Sequence, residues 1–342
     1  MPQSPVDAAA PVSNGAGVRF HIVTGKGGTG KTTTAAALAV ALARQAHKVL
    51  LVEVEGRQGI AQTFDVSPLS TDERQLFADP SGGSLWGLSV EPKAALLEYL
   101  QKFYKLGRTG ALLERVGAID FATTIAPGVR DVLLIGKVYE AVGRTEGRGR
   151  GGTRTYDAVV LDAPPTGRVV RFLGVNEEVA EVARMGPIKN QADSITRLLH
   201  SRATAVHIAT LLEEMPVQEC LDAVRDLTAA GLPVGAVIVN QVRDPILNDA
   251  DLDLVASGAE LTLKPRVARE LSAVGIPDGE SVGATLLAEA REHAERLDLQ
   301  AEQDQRIQHL GRAVFYLPQL ADGIESGGIG VLADELATQG MI

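Results

Sequence analysis

The sequence has little of what several protein classes require. Its 342 residues include one cysteine, Cys220, so no disulfide can form within the chain and a disulfide-held secreted scaffold is excluded. One thiol also excludes a Cys₄ or Cys₂His₂ zinc site built by a single chain. No apolar run approaches the roughly 18 residues of a membrane-spanning helix, so we expect no membrane span.

Basic residues are scarce relative to acidic ones. Lysine and arginine number 33 against 43 aspartates and glutamates, a formal net charge of −10. A protein that coats nucleic acid would present a basic domain, so we expect no nucleic-acid partner. Residues 1–17 are polar and lack the positive start and the apolar core of a signal peptide. We therefore expect a flexible tail over 1–17 and a cytoplasmic protein.

Short apolar runs alternate with helical patterns along the rest of the chain. Runs that are apolar throughout are typical of strands buried on both faces. The alternation predicts an α/β fold with a mostly parallel central sheet and helices on both sides. The predicted strands are 18–24, 48–54, 85–90, 156–163, 205–210 and 233–240.

The segment from about 92 to 200 contains only one of these strands, and the rest of it has helical patterns. We expect a helical subdomain there, inserted in a single domain that spans 18–342. Surface connections or turns are expected at 65–84, at the Gly/Arg-rich 143–154 and at the acidic 249–254. The predicted helices are 32–46, 92–106, 110–120, 128–142, 166–174, 177–200, 216–230 and about 279–310.

The first predicted strand is followed directly by residues 25–32, GKGGTGKT. A run of strong helix-forming residues comes next. Residues 25–32 are thus the phosphate-binding loop G-x-x-x-x-G-K-[ST] in its strand–loop–helix context. Its glycines let backbone N–H groups point at phosphate oxygens, and the helix adds its positive end. Lys31 is expected to reach the β- and γ-phosphates of ATP, and Thr32 to hold Mg²⁺. The predicted nucleotide-binding residues of the loop are Gly27, Gly28, Thr29, Gly30, Lys31, Thr32 and Thr33.

Asp162 stands at the end of the apolar strand 156–163 and precedes a Pro-Pro-Thr-Gly turn. An acid at this point of a P-loop protein binds Mg²⁺ through water. The turn provides a polar hinge suited to sensing a γ-phosphate. We therefore predict a Mg²⁺ site formed by Thr32 and Asp162.

These motifs resemble those of one family. Lys26, directly after the first glycine of the loop, resembles the second lysine of the deviant Walker A ATPases, and residues 162–173, DAPPTGRVVRFL, resemble the Asp-Thr-Ala-Pro-Thr-Gly-His segment of the arsenite-pump and tail-anchored-protein-targeting ATPases. The similarity covers about residues 18–340. It implies a dimeric ATP hydrolase in which Lys26 reaches the nucleotide of the facing subunit. It also implies that Asn240 and Pro318 contact adenine.

The sequence departs from this family at the position of the residue that orients the attacking water. Glu55 stands where the family usually has an aspartate that orients the attacking water. The glutamate carboxyl lies one methylene further out, and the positioning of water tolerates little displacement. We predict that Glu55 acts with Lys26 and Lys31 in catalysis, and that Arg57 and Gln58 could contact the γ-phosphate or the partner subunit. Slow hydrolysis is the alternative.

A second departure concerns metals and partners. Arsenite-pump members bind the metalloid through several thiolates, and targeting members clamp their dimer with a CxxC zinc site. Cys220 alone can form neither, so we expect no arsenite site, and a dimer held by nucleotide and packing. The partner could be a second copy or a related ATPase, and the client stays open. Residues 111–125 fit a core segment better than a groove for membrane proteins.

Three functions remain open at this point. The first is a Mg²⁺-dependent ATPase that couples dimer closing and opening to a client. The second is an ATP-binding regulatory subunit with weak hydrolysis, paired with a paralogue. The third is a partitioning-type ATPase of the deviant Walker A class, which the acidic net charge of −10 disfavours.

Overall fold

A computed structural model describes residues 17–54, 56, 58–104, 127–146, 152–182, 187–258, 260–324 and 327–342. Five predictions fall outside the described residues: the tail up to residue 16, Glu55, Arg57, the helix 110–120 and the core segment 111–125. The strands are β1 (Phe20–Gly25), β2 (Lys48–Glu53), β3 (Arg74–Ala78), β4 (Ser84–Ser89), β5 (Thr145–Glu146), β6 (Thr153–Arg154), β7 (Ala158–Asp162), β8 (Thr204–Thr210), β9 (Val234–Val242) and β10 (Val314–Pro318).

Eight of these strands form one sheet in the order β10–β9–β8–β1–β7–β2–β4–β3. Every neighbouring pair is parallel except β3 and β4. The six predicted strands all appear, with their ends shifted by no more than about two residues. The sheet confirms the predicted P-loop type of α/β fold.

The structure describes eleven helices, which include those on both faces of this sheet. They are α1 (Lys31–Arg44), α2 (Gly59–Thr63), α3 (Pro92–Tyr104), α4 (Pro127–Gly143), α5 (Thr166–Val182), α6 (Pro187–Leu199), α7 (Glu214–Ala229), α8 (Asp249–Ala256), α9 (Glu260–Ala273), α10 (Gly279–Gln308) and α11 (Gly328–Thr338). None of them, within the part of the chain that the structure describes, combines the length and apolarity needed to cross a bilayer. The division into a tail, one domain and a helical subdomain stays a prediction.

Helix α1 is buried almost all round, and this explains its alanine-rich sequence. Residues Thr34–Ala43 are all buried, because small side chains let the helix lie close to the sheet while α11 covers its other side. Arg44 Nη1 donates to Gly330 O at 2.8 Å and joins the two helices. The opposite face of the sheet carries α4, α5 and α7, so an apolar cluster fills each face.

Three expected connections contain regular structure instead. Segment 65–84 includes β3, an antiparallel edge strand, and 143–154 includes the two-residue pair β5–β6. The acidic 249–254 stretch was wrongly predicted as a turn, since it begins α8. There Asn248 caps the helix by accepting from Asp251 N at 3.0 Å, and acids in a first turn are favoured by the helix dipole.

Candidate nucleotide site

The loop 25–30 lies at the carboxyl end of β1, in the centre of the sheet. Ligands of open α/β sheets bind at this edge. Gly30 has a φ of +78°, and a Cβ on it would lie 2.1 Å from Asn240 Nδ2. Only glycine fits there, because a side chain would be strained and would also collide with Asn240. The close approach joins the loop to the end of β9.

Three predicted site residues meet at the end of this loop. The nearly buried Lys31 donates from Nζ to Lys26 O at 3.2 Å. The Thr32 hydroxyl donates to Asp162 Oδ2 at 2.6 Å, because the pairing of β1 with β7 sets Val23 opposite Asp162. A hydroxyl and a carboxylate are oxygen donors of the kind Mg²⁺ prefers. The donor set therefore fits the metal that the motif implies.

The outer side of the loop is open. Ideal Cβ positions on Gly27 and Gly28 meet nothing within 4 Å, which leaves space above the backbone for phosphate groups. Thr33, on the first turn of α1, is half-buried. The cradle therefore has a floor of backbone, a nearly buried lysine at its end and free space above it.

Lys26 and the turn after β7 meet at a side chain that no motif contains. Lys26 Nζ lies 3.0 Å from Glu219 Oε1 on α7. Thr166, in the Pro-Pro-Thr-Gly turn, donates its hydroxyl to Glu219 Oε2 at 3.2 Å. The phosphate loop and the turn are thus held to one carboxylate.

A cavity of about 700 Å³ adjoins the loop, within the usual size of small-molecule sites. Asn240 lines it and donates from Nδ2 to Thr29 O at 3.0 Å, so the cavity begins where the phosphate loop ends. Pro318 ends β10, pairs with Val242 and precedes Gln319, which also lines the cavity. The opposite wall is a face of α10 that includes Gln300, Gln303 and Arg306.

The chain after β2 is anchored by Glu53, the last residue of that strand. Glu53 is buried, and its carboxylate accepts from Gln58 N at 3.1 Å, Ile60 N at 3.2 Å and Ser89 Oγ at 3.0 Å. The Gln58 side chain bonds to Leu69 N at 2.7 Å and to Leu69 O at 3.0 Å. Both residues therefore fix the backbone of Gln58 and Ile60 beside the end of β2.

Two buried histidines lie in the sheet beneath the loop. His21 Nδ1 and His207 Nε2 are 3.2 Å apart, and the rings stack with centroids 5.4 Å apart. Ala236 N donates to His207 Nδ1 at 3.2 Å, which sets the tautomer and makes His207 Nε2 the donor to His21. Burial lowers the pKa of His21 to about 4 and that of His207 to about 3. The pair is therefore neutral near pH 7.

Soft-metal chemistry has little support in the described part of the chain. Cys220 is buried in α7, and burial raises the pKa of its thiol to about 12, so the reactive thiolate is suppressed. The described residues contain no group of three or more His, Cys, Asp or Glu side chains arranged for a metal ion.

The fold and the loop place the chain among the P-loop nucleotide-binding proteins. Comparison with known proteins narrows this class. The sequence profile of the anion-transporting ATPase family matches residues 18–202. The chain belongs to this family and is an ATPase.

Individual relatives agree with the family match. The chain is 47% identical over 325 residues to the ATPase BagA of Mycobacterium tuberculosis, which covers 95% of this chain and 94% of that protein. It is 24% identical over 285 residues to a putative arsenical pump-driving ATPase of Chlorobaculum tepidum, covering 69% and 64%. It is 25% identical over 186 residues to the ATPase get3 of Schizosaccharomyces pombe, covering 52% of each.

Proposed function

We propose that the chain is a Mg²⁺-dependent ATPase in which ATP closes a dimer and hydrolysis opens it, and that this cycle acts on a client or partner protein. One observation carries the proposal: Thr32 and Asp162 meet at the end of the phosphate loop, which joins the cavity of about 700 Å³ through Asn240. This arrangement supports a metal held by oxygen donors at one end of the site and a nucleoside at the other.

The proposed roles follow this geometry. Lys31 and the loop N–H groups of 27–33 hold the β- and γ-phosphates. Thr32 and, through water, Asp162 hold Mg²⁺, which neutralises charge on the phosphoryl oxygens when bound. Asn240 and Pro318 contact adenine at the mouth of the cavity.

The remaining proposed roles concern the chemical step and the dimer. Glu55 orients the attacking water, a role supported by its place in the sequence beside Gln58 and Ile60, whose N–H groups are held by Glu53. Lys26 reaches the nucleotide of the facing subunit. The dimer, of identical or related chains, is held by nucleotide and packing.

ATP hydrolysis by the wild type, Lys31→Ala and Glu55→Gln tests the proposal. We expect both variants to lose at least about 100-fold in kcat, because each removes a group that acts on the transferring phosphoryl or its nucleophile. The exposed Lys264→Ala and Glu91→Gln change charge equally elsewhere and should leave kcat unchanged. Hydrolysis indifferent to Lys31 would reject the proposal.

A second candidate, a regulatory subunit with weak hydrolysis, is favoured by Glu55 in place of the family's aspartate. It predicts that the purified chain binds ATP but turns it over slowly until a related ATPase is added. Turnover at ordinary rates by the purified chain alone would rule it out. The partitioning alternative predicts salt-sensitive DNA binding. The net charge of −10 disfavours such binding.

The client is proposed not to be a soft metalloid, although some relatives are named for an arsenical pump. Such ligands require several thiolates, and Cys220 is alone and buried. Unchanged ATP turnover across an arsenite titration is the expected result. Stimulation by arsenite would overturn this part of the proposal.

A further inference from the structure

Glu219 joins three segments of the nucleotide site through one carboxylate. Its Oε1 lies 3.0 Å from Lys26 Nζ in the phosphate loop. Its Oε2 accepts from Thr166 Oγ1, at 3.2 Å, in the turn after β7. The helix that carries it, α7, begins at Glu214, which lines the cavity beside Asn240. A structural change in the phosphate loop, in the turn or at the start of α7 would therefore move the Glu219 carboxylate or one of its partners.

The ion pair between Lys26 and Glu219 can be broken at a modest cost in free energy. The Lys26 and Glu219 side chains are 29% and 37% exposed, and pairs with this much exposure stabilise a structure only modestly. While the ammonium of Lys26 binds Glu219, it is held inside its own subunit. It cannot at the same time reach a phosphate on a facing subunit, so the two contacts compete for one charge.

We propose that Glu219 is a positioning residue that holds Lys26 in its own subunit until ATP binds, and so sets the ATP concentration at which the dimer closes. Thr166 joins the same carboxylate to the turn beside Asp162, so movement of that turn loosens the pair. This inference rests on the proposed dimer cycle. It assigns to Glu219 a restraining role rather than a contact with nucleotide.

Sedimentation across an ATP titration tests the restraint. Glu219→Gln keeps the shape of the side chain and removes its charge. We expect the ATP concentration for half-maximal dimer formation to fall about two- to fivefold for each subunit, the range for a partly exposed pair. Asp222→Asn removes an equal charge from the same helix, where Asp222 pairs with Arg225 at 3.1 Å, and should match the wild type.

The double variant Lys26→Ala/Glu219→Gln isolates the pair. It should behave as Lys26→Ala alone, because Glu219 acts only through Lys26. A midpoint for Glu219→Gln that equals or exceeds the wild-type value would overturn the proposal. An equal shift in Asp222→Asn would also overturn it, since the effect would then be one of general charge.

A second measurement separates this inference from the dimer cycle. Amine acetylation followed by mass spectrometry reports how readily Lys26 reacts in the nucleotide-free chain. We expect Lys26 to react about two- to fivefold faster in Glu219→Gln than in the wild type, with Lys264 as the internal reference. A wild type that never dimerises with ATP would reject the proposed function, whereas an unchanged reactivity of Lys26 would reject the role of Glu219.

Discussion

The two ends of the nucleotide site are built differently. The phosphate end consists of residues 25–32 and Asp162, and it rests on the central strands β1 and β7, with Gly25 against the backbone of Ala209 and Gly30 against the side chain of Asn240. The nucleoside end is a cavity of about 700 Å³ lined by long polar side chains of α10, by the end of β9 and by Gln319, which follows β10. The first end cannot relax without moving the sheet, whereas the second can adjust side chain by side chain. Changes should therefore cost stability at the first end and affinity at the second.

The largest expected effect lies beneath the phosphate end. The unfolded chain protonates both histidines below their ordinary pKa of 6.5, while the folded chain resists until the pKa of His21, about 4, and that of His207, about 3. The free energy of unfolding should thus be insensitive to the pair above pH 6.5. It should fall by up to about 1.4 kcal/mol per pH unit for each histidine as the pH drops from 6.5 towards 4.

Urea denaturation between pH 7.5 and pH 4.5 measures this dependence. His21→Asn keeps an acceptor where Nδ1 stood and should remove about half of the slope that the pair contributes. The exposed Gln305→Ala adds or removes no titrating group and should not change the slope. A slope that is the same in the wild type and in His21→Asn would show that the centre of the sheet is not the acid-sensitive part.

Gly30→Ala tests the rigidity of the phosphate end itself. The variant puts a methyl group at φ +78°, 2.1 Å from Asn240 Nδ2. We expect it to lower the free energy of unfolding by about 1–3 kcal/mol and to abolish measurable ATP binding. Gly27→Ala has open space around its Cβ, so its stability should stay within about 0.5 kcal/mol of the wild type. Equal stabilities of the two variants would contradict a rigid loop.

Asn240→Ala probes the junction of the two ends. It removes the buried hydrogen bond from Nδ2 to Thr29 O, 3.0 Å long, together with the proposed adenine contact. We expect the Kd for ATP to rise about tenfold and kcat at saturation to stay within about twofold, because the groups proposed to act on the phosphates are intact. Asn248→Ala, which removes the cap of α8, should leave the Kd unchanged. A fall in kcat without a change in Kd would assign Asn240 to the phosphate end.

The same contrast explains what could be predicted from the sequence. The phosphate end is encoded in eight consecutive residues, and Asp162 follows from a single buried strand, so local pattern suffices. The wall of the cavity joins Asn240 to Gln303 across more than sixty residues of chain, and no spacing rule relates them. Glu219 and the His21–His207 pair have no motif, since each takes its role from a partner brought close by the sheet. Strand β3 was not predicted from the sequence, because an exposed edge strand lacks the apolar run of an inner strand.

The smallest effect is expected on the α10 wall, and it separates the two ends most sharply. Gln303 lines the cavity and accepts from Arg306 Nη1 at 2.8 Å, and Arg306 Nη2 in turn donates to Gln218 at 2.6 Å. Gln303→Ala should therefore raise the Kd for ATP and for ADP by the same factor, about two- to threefold, the loss of part of one hydrogen bond. Inorganic tripolyphosphate has no nucleoside, so its own affinity should not change. It should therefore compete with ATP more effectively by that factor. Gln305→Ala, on the exposed face of α10, should change none of these constants. If Gln303→Ala instead weakened tripolyphosphate binding, the wall would belong to the phosphate end, and the two ends would be one rigid site.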